Sequence, residues 1–124
     1  RNRMTQQRGS KGFKRIFNAF SCSIRGMRVC FGSEEAFCQE FIMAVILVPA
    51  GLWLGATTIE RLLLCASVMF VLVVELLNTG IERAIDRISF EHHDLSRDAK
   101  DMGSAAVFLS IIICIFTWAV ILVR

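Results

Sequence analysis

The chain has 124 residues, of which 55% are hydrophobic and 20% charged, with a formal net charge of +3, one proline and no tyrosine. Its long aliphatic runs exclude an ordinary soluble core and favour a single membrane domain. The five cysteines form no C-x-x-C pair, so they are interpreted as reduced, small apolar residues. We expect no nucleic-acid partner.

The N-terminal part predicts an amphipathic helix after a short disordered segment. Disorder is expected for residues 1–10, and one membrane domain for 11–124. From about 13 to 32, apolar residues recur at helical spacing and basic residues take the other face. The apolar stripe consists of Phe13, Ile16, Phe17, Phe20, Ile24, Met27 and Phe31. Such a helix suits the surface of an anionic bilayer. The alternative, a helix packed on a soluble domain, has no such domain to pack on.

Three apolar runs follow, at 41–56, 62–81 and 105–123. The last two approach the roughly 20 residues that a spanning helix needs. The first contains Pro49 and spans only if its helix begins near residue 37, so the spans are expected at about 37–56, 62–81 and 105–123. A re-entrant segment is the alternative for the first run. The sequence therefore predicts an all-α membrane protein, with an interfacial helix and three transmembrane helices in a bundle.

Basic residues predict the orientation. The N-terminal arm and the 82–104 loop hold most of the Arg and Lys residues, whereas the 57–61 turn holds only Arg61. The N-terminus and the 82–104 loop are therefore expected to be cytoplasmic. Trp53 and Trp118 are interpreted as interface anchors at the opposite ends of their runs. The second span is expected to continue to about Phe90, and the third helix to begin near Arg97 with Ser96 as its N-cap.

A polar stripe enters the second span. Glu75, Asn78, Glu82 and Asp86 have the spacing i, i+3, i+7 and i+11, which places them on one helix face over roughly 16 Å. A carboxylate inside a spanning helix costs about 2.5–3.5 kcal/mol on insertion scales, so it is functional by default. The alternative is a buried carboxylate hydrogen-bonded to a neighbouring helix.

The third helix carries a polar group at the same membrane side. Lys100 and Ser104 share one face, with Asp101 beside them. Carboxylates for Mg²⁺, a lysine for phosphate and a potential base are what phosphoryl transfer requires. The alternative for Lys100 is an anchor in the lipid headgroups. Neither a Walker A loop nor a Gly-rich kinase loop occurs, so a nucleotide site must be built differently.

Two further acidic segments are weighed as metal sites. Glu34 and Glu35 could complete a hard-metal site with Glu82, although alone they form an ordinary acidic turn. Residues 91–94 (EHHD) could also ligate a metal, but adjacent histidines point apart on most backbones. This run is interpreted as a polar loop.

Specific segments carry a resemblance. They are VELLNTGIE at 74–82, DR at 86–87 and AKDMGSAAV at 99–107, preceded by Gly12-Phe13, Arg15-Ile16, Gly26, Arg28, Glu34, Ala36-Phe37 and Gln39-Glu40. Together they resemble the bacterial integral-membrane diacylglycerol kinase family, from Gly12 to the third span. The order of an interfacial helix and three spans matches as well.

The resemblance implies an ATP-dependent kinase that phosphorylates diacylglycerol to phosphatidic acid. It implies a multi-pass homotrimer in the bacterial inner membrane, with active sites shared between subunits at the cytoplasmic interface. Glu75 would be the general base, and Glu34 and Glu82 would bind Mg²⁺, with Glu35 as the alternative to Glu34. The implied ATP-binding residues are Arg15, Cys22, Glu34, Glu82, Glu91, His92, His93, Lys100 and Asp101. The implied lipid-substrate residues are Arg15, Ala19, Ser23, Arg28, Ala36, Phe37, Gln39, Glu40, Trp53, Glu75, Asn78 and Ser104.

Two other functions remain open at this point. An undecaprenol kinase would share the fold and the motifs but take a long polyprenol. A non-catalytic channel or assembly subunit would use the polar stripe to line a water-filled path. A channel stripe should cross the whole membrane, whereas the third span beyond Ser104 offers only Ser110 and Thr117.

Overall fold

A computed structural model describes the backbone of residues 2–88 and 93–124, and the side chains of 12–88 and 93–124. The described residues form four helices: α1 (Asn2–Ser33), α2 (Glu35–Leu54), α3 (Thr58–Ile88) and α4 (Asp94–Leu122). The chain divides into two compact units, Arg1–Glu34 and Glu35–Arg124. The predicted all-α class is confirmed.

The first unit consists of α1. This helix begins at Asn2, well before the expected start near 13, because residues 2–12 contain no proline and an isolated glycine does not stop a helix. The disorder expected for 1–10 stays a prediction, since the side chains there lie outside the described residues. From Gly12 onward the apolar stripe is solvent-facing, and Phe13 is 84% exposed. A stripe of this kind suits a bilayer surface.

In the second unit, α2 passes through Pro49 without a break. The thiol of Cys65 on α3 donates a hydrogen bond of 3.3 Å to the carbonyl of Val48, next to the proline. Gly51 is buried, and a Cβ placed there would lie 3.0 Å from the Leu64 Cβ, so α2 and α3 approach closely. The unbroken helix favours the spanning interpretation over the re-entrant one.

Two side-chain hydrogen bonds, related to a capping box, precede and cap the start of α3. Thr57 Oγ1 accepts a hydrogen bond of 3.1 Å from the Glu60 N–H, and Glu60 Oε1 accepts one of 2.9 Å from the Ala56 N–H. This reciprocal arrangement satisfies amide groups that have no partner within the helix. It allows a turn of only 55–57 between α2 and α3, so the two helices run antiparallel.

The start of α4 differs from the expectation. The helix begins at Asp94, and its N-cap is His93, whose Nδ1 accepts a hydrogen bond of 3.1 Å from the Leu95 N–H. Ser96 is therefore not the cap, and the predicted start near Arg97 is wrong by about one turn. The imidazole takes the capping role, and Asp94 follows it in the first turn, where a negative charge is favourable. The α3 helix ends at Ile88, and the expected end near Phe90 lies outside the described residues.

The α3 helix is the centre of the second unit, because α2 and α4 both pack against it. Arg124, just after α4, forms an ion pair of 2.8 Å with Glu60 and donates a hydrogen bond of 3.2 Å to the Leu54 carbonyl. We call this the Arg124 end, and the opposite end, with the polar stripe, the Glu82 end. All three helices are long and apolar enough to cross a membrane, as predicted.

Candidate functional site

The polar stripe of α3 contacts both neighbouring helices. Glu75, Asn78 and Glu82 are each partly buried, whereas Asp86 is exposed. The Glu75 carboxyl is hydrogen-bonded to the carboxyl of Glu40 on α2. The stripe thus begins at a pair of carboxyl groups and continues along α3 to the Glu82 end.

Glu40 also borders an apolar groove. The groove has a volume of about 410 Å³, and its walls come from α2, α3 and α4. The lining side chains are Glu40, Met43, Leu47, Val68, Val71, Leu72, Ile111, Cys114, Ile115 and Trp118. The Oε2 atom of Glu40 is buried and has no hydrogen-bond partner among the described residues. An apolar groove with a carboxyl group at its edge suits an amphiphile with a polar head, such as a lipid alcohol.

The middle of the stripe is held by Asn78. Its Nδ2 donates a hydrogen bond of 3.3 Å to Glu82 Oε1. Its Oδ1 is buried without a hydrogen-bond partner in the described part of the chain and lies against Gly103 of α4. A carboxylate and an amide are thereby joined one turn apart on the same face of α3.

An ion pair closes the stripe at its outer end. Lys100 Nζ lies 2.6 Å from Asp86 Oδ1 and links α4 to α3. Both side chains are about half exposed, and a pair of this kind contributes only about 0–1 kcal/mol. Lys100 could therefore exchange Asp86 for a phosphate at little cost. Asp101 and Ser104, one and four residues after Lys100 on α4, are both exposed. Their grouping with Lys100 in a site stays a prediction.

Five predicted site residues lie on α1: Arg15, Ala19, Cys22, Ser23 and Arg28. All are exposed, and Ser23 Oγ donates a hydrogen bond of 2.8 Å to the Ala19 carbonyl. Spacings of four, seven and eight residues from Arg15 place Ala19, Cys22 and Ser23 on one face. Arg28 falls on another face, so the helix does not bring all five together.

The predicted site residues around the start of α2 differ in how deeply they are buried. Glu34 is partly buried and lies between α1 and α2, whereas Glu35 is exposed in the first turn of α2. Ala36 and Gln39 are exposed. Phe37 is only 1% exposed, and its ring packs against Phe41 at a centroid distance of 6.2 Å. The burial of Phe37 therefore indicates a packing role in the core.

Two groups of predicted residues are not joined to the stripe. Trp53 is 84% exposed and lies at the Arg124 end of α2, about 20 Å along the helix from Glu40. His93 uses its Nδ1 as the α4 cap. Glu91 and His92 lie outside the described residues. Within 12–88 and 93–124, no three His, Cys, Asp or Glu side chains are grouped to hold a metal ion.

The sequence did not predict the contacts of two structurally important residues, Gly103 and Trp118. Gly103 contacts Asn78, and Trp118 donates a hydrogen bond of 3.1 Å from Nε1 to the Leu64 carbonyl across α3 and α4. A glycine inside a helix costs about 1 kcal/mol relative to alanine, and that cost was a usable signal for Gly103. Trp118 gave no such signal, because a tryptophan near a span end is equally typical of an interface anchor.

The chain is similar to known proteins over most of its length. Residues 21–122 match the family described as prokaryotic diacylglycerol kinase. A protein named diacylglycerol kinase from Escherichia coli K12 is 46% identical over 111 residues, which are 90% of this chain and 91% of that protein. Proteins of the same name from Pseudomonas aeruginosa and Haemophilus influenzae are 44% identical over 115 residues and 41% over 111. These cover 93% and 90% of this chain, and 94% of each relative. The resemblance inferred from the motifs is confirmed, and the chain belongs to the prokaryotic diacylglycerol kinase family.

Proposed function

We propose that this protein is an ATP-dependent lipid kinase that transfers the γ-phosphoryl group of ATP to diacylglycerol and forms phosphatidic acid. The observation that carries the proposal is the acidic stripe of α3. It begins at Glu40 and Glu75 beside an apolar groove, and its outer residue Asp86 pairs with the half-exposed Lys100 of α4. A lipid alcohol and a soluble nucleotide could therefore meet along one helix face. Membership in the family supports the same reaction.

Glu75 is the proposed general base. It lies deepest in the stripe and is hydrogen-bonded to Glu40, which lines the groove. A lipid hydroxyl would be held there, with its acyl chains in apolar surroundings. Its carboxylate would accept the hydroxyl proton while the lipid oxygen bonds to the γ-phosphorus. The bond between that phosphorus and the bridging oxygen of ADP breaks. Glu40 would hold the Glu75 carboxyl in place through their hydrogen bond.

Glu82 is the proposed ligand for Mg²⁺, with Glu34 or Glu35 as a second carboxylate, as the family resemblance implies. The donor set fits, because Mg²⁺ is commonly bound by one or two carboxylates together with substrate phosphates. The ion would neutralise charge on the transferring phosphoryl group. The Asn78 amide donates to one Glu82 oxygen, and the other oxygen would bind the ion. Asn78 would thus orient the carboxylate.

The nucleotide is proposed to bind at the outer end of the stripe. Lys100 would exchange Asp86 for a phosphate oxygen, with Asp101 beside it. Further ATP contacts are proposed for Arg15, Cys22, Glu91, His92 and His93. Contacts with the lipid substrate are proposed for Arg15, Ala19, Ser23, Arg28, Ala36, Phe37, Gln39, Glu40, Trp53, Asn78 and Ser104.

We also propose that the Glu82 end faces the cytoplasm of a bacterium, with the chain in the inner membrane. The basic 82–104 segment supports this orientation, and ATP is available on that side. The assembly is proposed to be a homotrimer with sites shared between subunits, as the family resemblance implies. Crosslinking in native membranes tests the subunit number.

The hydrogen bonds of two hydroxyl groups on α4 argue against the channel alternative. Ser110 Oγ donates to the Val107 carbonyl at 2.7 Å, and Thr117 Oγ1 donates to the Ile113 carbonyl at 2.7 Å. Both hydroxyls are therefore occupied within their own helix. They do not extend the polar stripe across the membrane, as a water-filled path would require.

The deciding experiment uses purified protein in mixed micelles with ATP labelled at the γ-phosphate. Diacylglycerol and undecaprenol are offered separately, with Mg²⁺ and with the chelator EDTA. We expect label in phosphatidic acid, faster than in undecaprenyl phosphate, and loss of transfer with EDTA that added Mg²⁺ restores. Equal or faster labelling of undecaprenol would assign the polyprenol kinase function instead. Label in neither lipid would reject a lipid kinase.

A further inference from the structure

Gly103 of α4 lies directly against the side-chain amide of Asn78. It is buried, and a Cβ at this position would overlap Asn78 Oδ1. The three atoms nearest to that Cβ all belong to Asn78, two of them in its side-chain amide. The space at Gly103 is therefore filled by the amide of one residue of the polar stripe.

Other glycines of the second unit have different surroundings. At Gly51 a Cβ would meet Leu64 Cβ and Cys65, which is the pattern of a glycine that allows two helices to pack closely. At Gly80, on α3 near Asn78, no atom lies within 4 Å of the added Cβ. Gly103 differs from both, because its contact is with the polar end of a side chain that the proposed function uses.

The Asn78 amide is held at both of its ends. Its Nδ2 donates to Glu82 Oε1 at 3.3 Å, while its Oδ1 is buried against Gly103 with no hydrogen-bond donor among the described residues. A buried carbonyl oxygen without a donor is unfavourable, so this orientation is kept by the Glu82 bond and by the space at Gly103. A methyl group at residue 103 would force the amide to rotate and would weaken the bond to Glu82.

From this geometry we infer that Gly103 is a positioning residue of the site, acting through Asn78 on the Glu82 carboxylate. The inference rests on the proposed function of Glu82 as a ligand for Mg²⁺ with ATP. Groups that orient a metal ligand affect affinity by about 10–100-fold when they are removed. Gly103 would thus influence nucleotide affinity without touching the nucleotide.

The first test compares Gly103→Ala with Gly80→Ala in lipid phosphorylation assays. Both changes add one methyl group to a helical glycine and raise helix propensity equally, but only the first meets Asn78. We expect Gly103→Ala to raise the KM for Mg-ATP about tenfold, with a smaller change in kcat, and elevated Mg²⁺ to recover part of the activity. Gly80→Ala should leave KM unchanged. Equal KM values for Gly103→Ala and wild type would overturn the inference.

The second test shows whether Gly103 acts through Asn78. Asn78→Ala removes the amide that the new methyl group would strike. We therefore expect Gly103→Ala to have no additional effect on KM in the Asn78→Ala background. A tenfold rise in that background as well would show a general packing role and overturn the inference. The double variant also relieves the overlap, so it keeps the test decisive if Gly103→Ala alone does not fold.

A readout without kinase activity separates this inference from the proposed function. The side-chain NH₂ signals of Asn78 in ¹⁵N-labelled protein in detergent report the amide environment directly. We expect them to shift in Gly103→Ala and to stay in place in Gly80→Ala. Unchanged signals in both variants would reject the positioning role, even in an active enzyme. A wild-type protein that phosphorylates no lipid would reject the proposed function, whereas the shift would still support the Gly103–Asn78 contact.

Discussion

The two ends of the second unit use their polar groups differently. At the Arg124 end, Arg124 pairs with Glu60 at 2.8 Å and donates to the Leu54 carbonyl, while Arg61 Nε donates to the Gly55 carbonyl at 3.1 Å. These contacts join the ends of three helices. Their partners are backbone carbonyls and one carboxylate, so this end is suited to stability.

At the Glu82 end, polar atoms are kept without partners. Glu40 Oε2 and Asn78 Oδ1 are the buried side-chain oxygens with no hydrogen bond among the described residues. A buried polar atom in this state costs about 1–3 kcal/mol. An acidic stripe that retains such atoms is expected where a substrate or an ion supplies the missing contacts. The same helices are therefore stabilised at one end and prepared for binding at the other.

Among the variants that test this difference between the two ends, Glu75→Gln is expected to have the largest effect on activity. The change keeps the size of the side chain but removes the proposed base. We expect kcat to fall by about 10²–10⁴-fold with Mg-ATP affinity nearly unchanged, because a general base acts in the transition state. Lipid phosphorylation and nucleotide binding are measured on the same preparation, and thermal unfolding serves as the control. Substantial turnover in this variant would end the assignment of Glu75.

Glu82→Gln should have a smaller effect of a different kind. Glu82 lies two turns from Glu75, about 10 Å along α3, at the side nearer to soluble nucleotide. Loss of its charge should weaken Mg-ATP binding on the order of tenfold, equal to about 1.4 kcal/mol, and raised Mg²⁺ should recover part of the activity. Titration of Mg-ATP at several Mg²⁺ concentrations measures this. A fall in kcat with unchanged affinity would mean that the two carboxylates have exchanged roles.

The sequence could predict the fold because its signals are long and periodic. Three apolar runs define the spans, and a stripe with helical spacing defines the acidic face on α3. The motifs also identified the family. The ends of the helices were less predictable, as the His93 cap shows, because Ser96 is the better N-cap residue by type and only the backbone decides which side chain meets a free N–H.

Contacts between helices could not be predicted from periodicity. Two contacts depend on how α2, α3 and α4 are rotated and shifted along their axes relative to one another. They are the hydrogen bond between Glu40 and Glu75 and the contact of Asn78 with Gly103. Spacing along one helix fixes which residues share a face, but not what that face meets. For the same reason Trp118 was interpreted as an interface anchor, whereas its Nε1 is bonded to Leu64 on α3.

The two tryptophans provide the smallest and most direct test of the comparison. Trp118→Phe keeps a large ring but removes the N–H that donates to the Leu64 carbonyl. Hydrogen bonds between helices in membranes contribute about 0.6 kcal/mol on average, so we expect a loss of stability near that value. Lipid phosphorylation should be nearly unchanged, because Trp118 lines the apolar groove and phenylalanine keeps an aromatic ring in its wall. Unfolding in mixed micelles under denaturant measures the stability.

Trp53→Phe is the matched control. It is the same substitution at the same end of the bundle, but Trp53 is 84% exposed. We expect no loss of stability from it. If Trp53 contacts the lipid, as proposed, its replacement should raise the KM for diacylglycerol while leaving the KM for Mg-ATP unchanged. A stability loss of equal size in both variants would show that the Leu64 bond does not stabilise the bundle. An activity loss in Trp118→Phe alone would mean that the stabilising and functional parts of the helices are not separate.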